Sequence, residues 1–81
     1  MIRIEVISLD PPCDKCNELL ANVKAAVAET GIEATVEKKW TLSQEIRDQY
    51  GLLLSPALAI DGVVVAQGKV YKVDRIRMLL A

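Results

Sequence analysis

Histidine and phenylalanine are absent from these 81 residues, while cysteine and tyrosine occur twice each and tryptophan once. Without histidine and with only two thiols, the chain cannot close a four-ligand structural zinc site by itself. Few aromatics and a formal net charge of −1 argue against nucleic acid as a partner, which calls for a basic face and usually for stacking rings. Long apolar runs are missing as well. The longest, Leu52 to Ala66, is broken by Pro56 and by Asp61-Gly62, so no membrane span and no membrane partner are expected. Met1 to Leu9 alternates charged and aliphatic residues, and is read as carrying no secretory signal.

What is present is aliphatic. Apolar residues make up 52% of the chain, with Val and Ile prominent, which favours a core that contains a sheet. The length fits a single domain spanning 1–81 that buries roughly 60 to 65 per cent of its unfolded surface. Charge is uneven: residues 1–37 carry seven acidic against three basic side chains, whereas residues 69–81 carry four basic against one acidic. Solvated helix faces account for such a bias in the first instance. No internal repeat, low-complexity tract or linker is visible.

Both cysteines fall in Cys13-Asp14-Lys15-Cys16, between an apolar run and a helical pattern. Two cysteines three apart on a first helical turn come within disulfide reach. A helix N-terminus also offers unpaired N–H groups and a positive dipole end that stabilise a thiolate. The spacing therefore suits a redox-active dithiol. A structural disulfide would close a trivially short loop and gain little. Half of a shared metal or cluster site remains open at this point. A lone dithiol is consistent with a reducing, cytoplasmic location.

The elements follow from periodicity. Ile2, Ile4 and Val6, with Arg3 and Glu5 alternating, predict a strand that Asp10-Pro11-Pro12 ends. Cys16, Leu19, Leu20, Val23 and Val27 predict a helix from Asp14 to about Thr30, with Gly31 as its stop. Ile32 to Lys38 reads as a second strand closed by Trp40. Thr41-Leu42-Ser43-Gln44 fits a capping box, and Leu42, Ile46 and Tyr50 make one side of the short helix that it would open. Ala57 to Ile60 and Val63 to Ala66 flank Asp61-Gly62, a strong hairpin signal. Val73, Ile76, Leu79 and Leu80 define a weakly capped last helix. The expected order is β-α-β-α-β-β-α: an α/β fold with a four-stranded mixed sheet and helices on both faces.

This order, with the dithiol between first strand and first helix, resembles the thioredoxin fold at its minimal, glutaredoxin-like length. Ser55-Pro56-Ala57-Leu58-Ala59-Ile60-Asp61-Gly62 is similar to the segment that carries that family's cis-proline. The nearest likeness is to the small thioredoxin-like redox-active disulfide proteins of archaea and bacteria. The resemblance implies an attacking role for Cys13, a resolving role for Cys16, and a cis-proline at Pro56 that faces the dithiol. It implies that the Ser55 backbone pairs with an extended substrate segment and that Gly68 lets a partner backbone come close. Asp14 and Lys15 would modulate the thiolate in opposite senses. Ile7 stands where larger thioredoxins carry a buried acid, which leaves the proton acceptor for Cys16 unassigned. The aromatic and acidic residues that glutaredoxins use for glutathione are missing.

The implied function is a thiol-disulfide oxidoreductase that acts on disulfide-containing protein substrates through a mixed disulfide. Its electrons would come from a donor of the thioredoxin reductase type. No cofactor or resident metal is implied, and a monomer is expected. The alternative is a small carrier of copper or zinc using the same Cys-x-x-Cys. Copper chaperones are similar to β-α-β-β-α-β chains, however, and here helices are expected over Trp40 to Tyr50 and at the end.

Overall fold

The computed structural model describes residues 2–9 and 14–80. The elements are β1 (Ile2–Ser8), α1 (Asp14–Thr30), β2 (Ala34–Trp40), α2 (Gln44–Tyr50), β3 (Ala57–Ile60), β4 (Val63–Gln67) and α3 (Val73–Leu80). This is the order read from the sequence, and it builds an α/β fold around one sheet arranged β2-β1-β3-β4. β1 and β2 are parallel, from Ile2 opposite Ala34 to Ser8 opposite Trp40. α1 supplies the crossover that a parallel pair requires. β3 lies antiparallel to β1, with Ala57 opposite Ile7, and β4 returns antiparallel to β3. Asp61 and Gly62 form the hairpin turn with φ of 49° and 83°, the left-handed pair that a two-residue loop demands.

Alternation along the central strands sorts side chains to two faces. Ile4, Val6 and Leu58 are buried with Leu19, Val23 and Ala26 of α1 and Ile76 and Leu80 of α3. Ile7, Ala57 and Ala59 form a second, smaller cluster with Ile46 of α2. Helices therefore cover both faces, and the large core lies on the α1/α3 side. The alanines at 57 and 59 are small enough to let α2 lie against the sheet, with Ile46 buried there and Tyr50 packed beside it.

Four expectations shift. Thr41 does not cap α2: the N-cap is Ser43, whose hydroxyl accepts from the Ile46 N–H at 3.3 Å. Thr41 instead extends the ladder, its N–H donating to Ser8 O at 2.9 Å, and its hydroxyl donates to Leu53 O at 3.2 Å. Leu42 thus precedes the helix and is exposed, so of the three expected apolar residues Ile46 and Tyr50 turn toward the sheet. β2 runs two residues later than its charge pattern suggested, because pairing with β1 continues to Trp40 while Ile32 packs on the core from outside the strand. On α3, Ile76 and Leu80 carry the burial and Leu79 lies toward solvent.

The α2 face also buries a charge. Glu5 is 1% exposed, between Ile4 and Val6 but on the opposite side of β1. A buried carboxylate is tolerated only when paired and hydrogen-bonded. Glu5 accepts from the Tyr50 hydroxyl at 2.5 Å and from Arg3 at 3.1 Å. Arg3 and Lys39 both approach Glu37, and Lys39 reaches Glu45 of α2 at 2.8 Å. Lys39's hydrogen bond holds the Glu45 carboxyl below the usual range. α2 is thereby tied to the sheet at both ends, by Glu45 and by Tyr50.

Candidate active site

α1 begins just beyond the end of β1, and Cys16 is its third residue. Cys16 starts the buried stripe that continues through Leu19, Val23 and Ala26, and is 2% exposed. Asp14 and Lys15 on the same turn are exposed, so the polar half of the motif lies in solvent and its second sulfur lies in the fold. Cys13, with Asp10, Pro11 and Pro12, lies outside the described residues.

The second sequence motif lies beside the end of β1. Pro56 is buried next to Ala57, the residue opposite Ile7, and the Ser55-Pro56 peptide is cis. Gly68 joins it directly: its N–H donates to Pro56 O at 2.9 Å and lies 3.3 Å from Leu54 O. The need for glycine at 68 comes from its φ of +66°, since an added Cβ would meet only Leu54, at an ordinary contact of 3.6 Å. Ser55, Pro56 and Gly68 therefore form one unit, built from the start of β3 and the end of β4. Ser55 is half-buried.

Thr41 organises this end of the sheet instead of capping α2. Its two bonds tie the last residue of β1 to the segment that precedes Pro56. Leu54 N–H donates in turn to the Gln67 side chain at 3.2 Å. The chain between α2 and β3 is thus held from both sides, which leaves Leu52 (78% exposed) and Leu54 (69% exposed) outward beside Pro56. Only a tertiary contact distinguishes Thr41 from a capping residue. No local signal marks it.

The model of the thioredoxin domain family matches residues 2–81. The chain belongs to that family. A thioredoxin of Methanocaldococcus jannaschii is 35% identical over 79 residues, covering 95% of this chain and 88% of the relative. A thioredoxin of Methanothermobacter thermautotrophicus is 32% identical over 81 residues, covering both chains completely. The chain is thus a thioredoxin-superfamily protein along its whole described length. Among the described residues, no helix is long and apolar enough to cross a membrane.

Proposed function

We propose that this protein is a thiol-disulfide oxidoreductase that cycles the Cys13-Cys16 dithiol against protein disulfides. The observation that carries the reading is Cys16, buried in the first turn of a helix that follows β1, in a chain that belongs to the thioredoxin family. Cys13 directly precedes α1 in the sequence, so the unpaired N–H groups of the first turn favour its thiolate. That thiolate attacks one sulfur of a substrate disulfide, and the substrate's other sulfur leaves as a thiolate. Cys16, deprotonated, then attacks Cys13 in the mixed disulfide. The second substrate thiol departs, and a Cys13-Cys16 disulfide remains. Two electrons have passed to the substrate, and a donor of the thioredoxin reductase type returns them.

The buried setting of Cys16 suits the resolving role, because a sheltered sulfur reacts with its neighbour before it reacts with solution disulfides. Ser55 offers its backbone to an extended substrate segment at the start of β3, and Asp14 and Lys15 tune the motif from solvent. Protein disulfides are the substrates and the protein works in the cytoplasm, as one domain. The test is insulin reduction driven by dithiothreitol. The protein should accelerate it and Cys13→Ser should not, whereas equal rates would remove the Cys13-led mechanism. Tight copper(I) binding with no acceleration of insulin reduction would favour metal carriage instead.

A further inference from the structure

The basic bias of residues 69–81 has a definite place in the fold. Gly68, bonded to Pro56, opens a loop through Lys69, Val70, Tyr71 and Lys72 into α3. The loop crosses to α1, where the Asn22 side chain donates to Tyr71 O at 3.0 Å. Further along this seam Arg77 of α3 pairs with Glu29 of α1 at 3.5 Å. Glu29 and Asn22 are seven residues apart, two helical turns, and seven residues before Asn22 stands Lys15. One line of α1 therefore meets the 69–77 segment with an ion pair at its far end and a hydrogen bond in its middle. At the end nearest the cysteine motif it carries a lysine.

Among the described residues, that end is cationic. Lys15, Lys69 and Lys72 are exposed, and among the described residues none has a carboxylate at ion-pairing distance. Arg75 adds a fourth positive charge, stacked over the Tyr71 ring at 5.5 Å from its centroid. Asp74 is engaged by Arg77. Asp14 and Glu18 are the acids on the adjoining turns of α1, and among the described residues they leave the patch net positive. Exposed Leu54, against Gly68, forms its apolar border. Like charges left unpaired beside a site cost stability, but they speed the approach of an oppositely charged partner and reject a like-charged one.

We propose that Lys69 and Lys72, with Lys15, form a docking surface for protein partners whose disulfide-bearing segment is flanked by acidic residues. This rests on the proposed redox role of the adjoining site and names the class of partner that the site receives. The partner's acidic flank lies along the 68–72 loop while its disulfide reaches the motif. Lys69 and Lys72 act on encounter and orientation, and take no part in sulfur chemistry.

The test uses two fluorescent peptides with the same disulfide loop, one flanked by glutamates and one by lysines. Their binding is read by anisotropy at low and high salt, for the unmodified protein and for Lys69→Glu/Lys72→Glu. The acidic peptide should bind about tenfold or more tighter at low salt, lose that advantage as salt rises, and lose it in the variant. Equal binding of the two peptides, or a preference that the variant keeps, would overturn the proposal. So would tighter binding of single-stranded RNA or anionic vesicles than of the acidic peptide, abolished by the same variant. Reduction of hydroxyethyl disulfide by the same samples reports separately on the redox reading. It should be equal in protein and variant, and its absence from both would remove the oxidoreductase while leaving the binding preference to stand or fall alone.

Discussion

The hydroxyl of Tyr50, the last residue of α2, donates to Glu5 at the centre of β1 across 2.5 Å. Burial and this bond to a carboxylate push the Tyr50 phenol up to about 12. A raised value means that the fold favours the protonated phenol. The stability it contributes is complete below the ordinary tyrosine range near 10, and drains away as pH rises from there through about 12. Tyrosinate absorbance followed against pH should show a late component that Tyr50→Phe removes. A Tyr50 that titrates near 10 would contradict the buried bond.

Removing either end of that bond exposes its cost. Tyr50→Phe leaves Glu5 buried with Arg3 alone, and should lower unfolding stability by about 1 to 3 kcal/mol in denaturant titrations. Unchanged stability would mean that Glu5 already finds water.

Thr41 and Ser43 separate two roles that look alike in sequence. Ser43→Ala should cost about 0.5 to 2 kcal/mol through the lost cap of α2. Thr41→Val keeps the shape but removes the donor to Leu53 O, so its effect should appear as faster amide exchange in the segment before Pro56. Faster exchange confined to α2 in Thr41→Val would restore Thr41 to the capping role.

These two residues also show where the sequence is legible. The order of elements could be read because the apolar periods are strong and Asp61-Gly62 admits one turn. The Cys-x-x-Cys and the Ser55-Pro56 segment were visible as motifs, since they depend on neighbours in the chain. The burial of Glu5 was not. A glutamate between aliphatics on a strand reads as solvent-facing, and the tyrosine that covers it comes 45 residues later. Thr41 likewise satisfied a local capping pattern, and contacts with Ser8 and Leu53 override it. The charge bias near the C-terminus was countable, but its position beside Gly68 required the fold.

The motif holds one acid, one base and no histidine, so no strong stabiliser of the Cys13 thiolate stands inside it. The dithiol should equilibrate with a redox buffer at about −220 to −280 mV, in the range of thioredoxin. A value near about −120 mV would indicate a group that holds the thiolate, and would make the protein an oxidant.

The most direct test of a dithiol cycle led by Cys13 is trapping by Cys16→Ser. Without its resolving sulfur the protein should still attack a disulfide substrate, then accumulate a one-to-one mixed disulfide through Cys13, visible as a mass adduct that dithiothreitol releases. The unmodified protein should show none at steady state. Absence of the adduct in Cys16→Ser, with the variant folded, would contradict the account.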